Sequence, residues 1–437
     1  MATTTPTVTS PAAPATKPCG CPDLERAITR RSFLKRSATA GVVAGLAMDT
    51  LFAQLAFAST PYDGDVLVVL SLRGGMDGLN VIVPASDPDY VALRPTIGIP
   101  QNTLVQLDSN FGMHPAMASL LPLWNAGTFG IVHAVGMAAP NRSHFQAMEE
   151  MERAAPGTSL RTGWLDRVLG LRDPGTAFQG VQIGGSDSSE AFQGPTPDLA
   201  IYSVDSFQLN AAGSDSDRAT WDTALRGLHA GAPAALGGPA IVALDALNKA
   251  HELKAAGYTP ANGASYPDTD LGKAMTDIAR LIKADGVGLQ VAAVDYGDWD
   301  MHAGMGTPDK GWMVDQLTEL SGVLTAFAQD LGNKLDDVTL VTLTEFGRRA
   351  QENGSGGCDH GYGQAVLMLG GGVKGGTVHG NWPGLSNTDL VDGDLNGQND
   401  YRKVLAEILE QRCRTSSVSS IFPGIDNQRY GIVNARP

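Results

Sequence analysis

Five short stretches of this chain combine residue types and spacings that polar chemistry requires. Asp77 sits in the glycine-rich run Arg73-Gly74-Gly75-Met76-Asp77-Gly78. Asp298-Trp299-Asp300-Met301-His302 offers D-x-x-x-H and D-x-H together, and in either spacing a carboxylate and an imidazole can reach one ion. Glu345 precedes Phe346-Gly347-Arg348, and Asp359-His360 follows a second glycine-rich stretch. Carboxylates mixed with imidazoles suit a hard or borderline divalent metal ion, Zn, Mg, Mn or Ca. Asp77, Asp298, Asp300, His302, Glu345, Asp359 and His360 are therefore candidate metal ligands. The fifth stretch, Asn141-Arg142-Ser143-His144-Phe145, places a hydroxyl between a guanidinium and an imidazole. Ser143 suits a nucleophile, Arg142 a clamp for phosphate or sulfate, and His144 a ligand or a general acid. Arg348 is a second candidate clamp. Ser143 also suits a plain helix N-cap with no chemistry.

The elements that must hold these residues follow from hydrophobic pattern. Asp65–Leu72 is a continuous apolar run rich in β-branched residues, which predicts a strand buried on both faces of a mostly parallel sheet. Strands are also expected over 127–135, 199–204, 288–295, 337–344 and 364–369. Helices are expected over 115–125, 143–154, 239–254, 269–284, 312–331 and 402–413. Residues 205–240, rich in Ala, Gly, Asp and Ser, read as peripheral. Strands alternating with helices imply an α/β fold, a central, mainly parallel β-sheet sandwiched by helices. In such sheets ligands bind at the carboxyl ends of the strands, and every candidate ligand above follows a predicted strand. The remaining histidines read as structural or superficial: His114 as a cap, His133 as a core residue, His229 and His251 as surface helix residues. His379, after a glycine turn, suits either role. Gly370 to Gly375 matches G-x-G-x-x-G, but no helix follows it, so a glycine turn is expected rather than a dinucleotide site.

The first 58 residues read as an export signal. Arg30-Arg31-Ser32-Phe33-Leu34-Lys35 precedes an apolar stretch interrupted by Asp49, and Ala56-Phe57-Ala58 fits a small-x-small cleavage site. Cleavage after Ala58 leaves 59–437 as one domain, exported by the twin-arginine translocase to the periplasm or the medium, with no stable membrane span. The whole chain carries a formal charge of −15. The leader holds six Lys/Arg and three Asp/Glu, so the remainder stands at −18. Such acidity disfavours nucleic acid as a partner, and it requires a local positive centre to draw in any anionic substrate. Cys19 and Cys21 leave with the leader. Cys358 and Cys413 remain as candidates for one disulfide.

Several of these segments resemble a bacterial family of secreted proteins, the domain of unknown function 1501. They are LRGGMDGLNVIVP (72–84), GMHPAMASLLPLW (112–124), PNRSHFQAMEEME (140–152), DWDMH (298–302), TLTEFGRRAQENGSGGCDHGYG (342–363) and LGGGVKGGTVHG (369–380). That family is grouped with the alkaline phosphatase and sulfatase superfamily. The resemblance implies one or two metals at the strand ends of an alkaline phosphatase/sulfatase-like fold. Carried over, Asp77 takes the first ligand position and Ser143 the nucleophile's, Asp300 and His302 the next element, Glu345 the second acidic position and His360 the last histidine. Two departures stand out. Glu345-Phe346 replaces the superfamily's usual Asp-His, so a ligand is missing or moved, with His144 or Asp359 as substitutes. Cys358 stands where Thr is common. The expected activity is metal-dependent hydrolysis of phosphate or sulfate esters, and on this assignment Asp77→Ala abolishes metal binding. The alternatives are a degenerate, non-catalytic envelope or glycan-binding member of the same fold, or a hydrolase of another ester bond.

Overall fold

A computed structural model describes residues 62–172, 176–210 and 213–437. The expected leader, its cleavage site, Cys19 and Cys21 lie outside the described residues. In chain order the strands are β1 (Val66–Leu72), β2 (Ile82–Val83), β3 (Val105–Gln106), β4 (Gly112–Met113), β5 (Phe129–Gly136), β6 (Gly180–Ile183), β7 (Leu199–Ile201), β8 (Val291–Tyr296), β9 (Val338–Leu343), β10 (Gln364–Gly370), β11 (Val378–His379) and β12 (Asn399–Asp400).

The apolar run of β1 is explained by its neighbours. It lies between β8 and β9, parallel to both, in a sheet of order β11-β5-β10-β9-β1-β8-β6-β7, with β12 also on β5. Its side chains alternate between two cores. Val68, Leu70 and Leu72 face the layer holding the helices Asp270–Lys283 and Trp312–Leu331. Leu67 and Val69 face the layer holding His144–Arg153, Trp164–Gly170 and Tyr401–Gln411. The fold is thus a large, mostly parallel sheet flanked by helices. A three-stranded sheet, β2-β4-β3, lies apart from it in hydrogen bonding.

Register brings the site together. Ser71 pairs with Asp295 on one side and Leu343 on the other, so β1, β8 and β9 end at one rim. Strand β10 is antiparallel to β9 and β5, and Gln364 at its start pairs with Val135 near the end of β5. The segments after β1, β5, β8 and β9, and the one before β10, therefore all emerge at the same edge.

Most expected elements are present, with some differences. After β1 the chain makes a helical turn (Gly78–Val81) that leads directly into β2. The third long helix starts at Ala234, ahead of Pro239. Helix Trp164–Gly170 and strand β6 were not expected; β6 is only four residues long, and its GVQI sequence gains a strand's identity from pairing with β8 and β7. Helix Asp215–His229 buries none of its residues, in keeping with a peripheral segment. Gly370 ends β10 and no helix follows, so the G-x-G-x-x-G run is a turn. Cys358 and Cys413 are free and buried, on opposite faces of the sheet, and form no disulfide. Burial pushes the Cys358 thiol up to about 12 and that of Cys413 to about 11. Among the described residues no helix is long and apolar enough to cross a membrane.

Two histidines tie the fold to pH. His114 caps the turn Pro115–Leu120 by accepting the Ala116 N–H at Nδ1. His133 in β5 donates from Nε2 to the Ile82 carbonyl, 2.9 Å away. Both are buried, and burial lowers each to about 4. An unfolded histidine titrates near 6.5. Between those values the unfolded chain binds protons that the native state refuses, so the stabilisation is complete above pH 6.5 and is lost as pH falls towards 4. Each residue is expected to contribute on the order of 3 kcal/mol to that loss. Urea unfolding from pH 7 to 4.5 should show a shallower decline in His114→Gln/His133→Gln than in the wild type; equal declines would refute the assignment.

Candidate metal centre

The site is built on backbone crossings that only glycine allows. Gly74 has φ +117°, and a Cβ there would stand 2.6 Å from the Asp300 nitrogen. Gly75 has φ +74°, and its Cβ would lie 2.6 Å from the Phe346 ring. The turn after β1 can therefore press against both the 298–302 loop and the end of β9. On the far side, Cys358 N–H donates to the Met301 carbonyl, Met305 N–H to Gly356, and Arg349 N–H to Asp359. These bonds lace the 298–305, 347–349 and 355–360 segments together, which sets His302 beside His360.

Arg348 is the centre of this lacing. It is fully buried, and donates from Nε to the Gly75 carbonyl (2.6 Å), from Nη1 to Cys358 (3.1 Å), and from Nη2 to Trp299 (3.1 Å) and Gly74. Nη2 also donates to Asp300 Oδ1 at 2.6 Å. Its donors are spent within the protein, so the structure does not place Arg348 as a substrate clamp. Burial alone would raise the Asp300 carboxyl, but the Arg348 guanidinium outweighs it and holds the group below the ordinary carboxylate range.

Three imidazoles surround Asp300 Oδ1: His302 Nε2 at 3.1 Å, His360 Nε2 at 3.2 Å and His144 Nε2 at 3.5 Å. The ligand atoms of His144, Asp300 and His360 all lie within 4.8 Å of one another. The far nitrogen of each ring decides its tautomer. His360 Nδ1 is 2.8 Å from the Arg142 carbonyl, which can only accept. His302 Nδ1 is 2.9 Å from Asp359 Oδ1, and His302 together with Asn353 holds that carboxyl below its usual range. His144 Nδ1 is 2.7 Å from Glu345 Oε1. All three Nδ1 atoms therefore donate, and in the neutral rings all three Nε2 atoms carry bare lone pairs. Nε2 of His302 and of His360 face each other at 2.8 Å, and Nε2 of His144 is buried with no hydrogen-bond partner.

Glu345 is committed behind His144. It is 1% exposed and accepts the Gly74 N–H on both oxygens, at 3.0 and 3.2 Å. Phe346 lies against His144 and His360, its ring centroid 4.8 and 4.7 Å from theirs. The position of the expected missing histidine thus holds an aromatic floor under two of the imidazoles, and His144 from the β5 side occupies the gap.

The structure brings together Asp300, His302, His360 and His144 from the expected set. Glu345 and Asp359, expected as ligands, instead stand behind the imidazoles as hydrogen-bond acceptors. Asp77 is not brought to the group: the buried Arg94 guanidinium takes both its oxygens, Oδ1 at 2.9 Å. Arg142 has its side chain on buried Asp394, while its carbonyl orients His360. Ser143 is the N-cap residue of helix His144–Arg153 by position, but its hydroxyl makes no capping bond. Sequence reading missed Arg94, Arg349 and Asp394, none of which lies in a recognisable motif; only pairing in space reveals them.

Residues 237–399 match the model of a family described as protein of unknown function (DUF1501). The match supports the resemblance drawn from the motifs at 298–302 and 342–363, and it includes Asp300, His302, Glu345, Arg348, Asp359 and His360. No curated protein and no solved structure matches the chain.

Two outcomes follow from this geometry. Asp77→Ala leaves a guanidinium buried and unpaired, and is expected to cost about 3–5 kcal/mol of stability while the folded protein binds added divalent metal as the wild type does; loss of that binding at unchanged stability would restore Asp77 as a ligand. Glu345→Ala removes the acceptor that fixes His144, and should weaken the binding of an added divalent ion such as Zn²⁺ roughly 10- to 100-fold in competition with a chelator.

Proposed function

We propose that this chain is a metal-dependent hydrolase of phosphate or sulfate esters, on a fold of the alkaline phosphatase and sulfatase type. In this reading it is exported by the twin-arginine route and acts in the periplasm or the medium. One observation carries the proposal: three imidazole lone pairs and a carboxylate oxygen converge on one point, each ring held in its tautomer from behind. Such a group repels itself unless a cation sits among its members. A single proton relieves one contact, whereas a divalent ion relieves all of them. The imidazole-rich donor set favours zinc over Mg or Ca.

A bound ion would supply a Lewis acid and lower the pKa of an oxygen nucleophile beside it. The protein's own groups supply the rest. Ser143 presents a hydroxyl with no hydrogen-bond partner among the described residues, next to His144. The free N–H groups at the start of helix His144–Arg153 favour an anion there. Phe346 closes the floor against water, and Arg348 keeps Asp300 anionic.

One observation favours a second reading. His144, Asp300, His302 and His360 together would complete a tetrahedral set and leave no open position, as in structural sites. The chain would then be a non-catalytic member of the fold. Metal analysis of the purified protein, run beside a panel of aryl phosphates and sulfates, separates the two. The hydrolase reading expects about one zinc per chain and turnover that falls at least ~1,000-fold in Ser143→Ala with zinc retained. Zinc without turnover of either ester class supports the binding role. Full zinc content in His144→Ala/His360→Ala removes the site altogether.

A further inference from the structure

We infer that Arg142 and Arg349, mounted on the buried carboxylate of Asp394, form an oxyanion-binding subsite at the rim of the metal centre. The subsite would take a phosphate, sulfate or carboxylate group of the substrate. The inference builds on the hydrolase reading but rests on different residues. Asp394 is fully buried and receives Arg142 through Nε at 2.9 Å and through Nη2. Arg349 Nε stands 3.7 Å from its other oxygen, Oδ1, which has no hydrogen-bond partner. Arg349 Nη2 donates to the Asp392 carbonyl at 2.6 Å. Gly393, at φ +83°, leaves room for that guanidinium, since a Cβ there would lie 2.4 Å from Nη2.

Another site in the same protein shows what a purely structural version looks like. Buried Asp65 also carries two arginines, Arg412 and Arg436. Their remaining nitrogens go to Asp336, Asn434 and Asp337, and their side chains are 6% and 18% exposed. At Asp394 the two side chains are 38% and 37% exposed, and neither Nη1 has a protein partner among the described residues. Two guanidiniums share one buried carboxylate and leave unspent donors at solvent, with the carboxylates of Asp359 and Asp392 beside them. An arginine fork in that state is matched to an oxyanion.

The subsite adjoins the metal centre through the backbone. The Arg142 carbonyl accepts from His360 Nδ1 at 2.8 Å, and Arg349 N–H donates to the Asp359 carbonyl at 3.0 Å. An anion held by these side chains would sit on the same rim as Ser143 and the imidazoles.

The test is calorimetric titration of the zinc-loaded protein with inorganic phosphate and, separately, with sulfate. The expected result is saturable binding of at least one, weakened about tenfold or more in Arg349→Met with zinc content and thermal midpoint unchanged, and in Arg142→Met with zinc content unchanged but a lower thermal midpoint, since buried Asp394 loses its paired donor. Binding that persists in His360→Ala after zinc is lost also supports the subsite, and isolates it from the metal proposal. The inference is overturned if the wild type binds neither ion, or if Arg142→Met/Arg349→Met binds both as the wild type does. Failure to find zinc in the wild type would instead sink the hydrolase reading, and the phosphate titration would still decide the subsite.

Discussion

The site depends on one buried guanidinium. Arg348 reaches across the sheet's edge and ties the turn after β1, the loop after β8 and the segment leading into β10 to the end of β9. Four of its partners are backbone carbonyls at the positions where strands give way to loops. Burying a charged group is costly unless its donors are paired, and here they are. Asp300 is the one acidic side chain in its shell, and the same contact that balances Arg348 keeps that carboxylate anionic. Architecture and chemistry therefore share a single interaction.

Around that hub the imidazoles are arranged by what stands behind them. Glu345, Asp359 and the Arg142 carbonyl each accept from an Nδ1, which turns every Nε2 inward. Outer partners of this kind set ring orientation and basicity in metal centres generally. Their presence accounts for two acidic residues that motif reading places in direct contact with an ion. An acidic residue at a strand end can ligate, or it can aim a ligand; the sequence pattern is the same in both cases.

Asp77 and Asp394 show a third use of a carboxylate. Each is buried, and each holds arginine. Asp77 receives Arg94, which also bonds Asn80 Oδ1 at 2.7 Å and the Ala350 carbonyl at 2.9 Å, and so locks the segment after β1 to the one after β9. Asp394 holds its arginines at the surface with donors unspent. The difference is one of exposure and stoichiometry, and both are properties of the folded chain.

The sequence by itself determined the layered α/β architecture, because an unbroken β-branched run such as 65–72 can only be satisfied by burial on both faces, and because the long helices carry their own periodicity. It also determined that Asp300, His302, His360 and His144 belong to polar segments following strands or opening a helix. Tertiary structure alone decided their roles. Which acidic residue faces the centre depends on parallel register, on glycine crossings at 74 and 75, and on a guanidinium 48 residues from its carboxylate partner. None of these has a local signature, since a side chain's neighbours across a sheet are set by pairing rather than by spacing along the chain. The same holds for Cys358 and Cys413, a disulfide candidate on paper and two free thiols on opposite faces of the sheet in space.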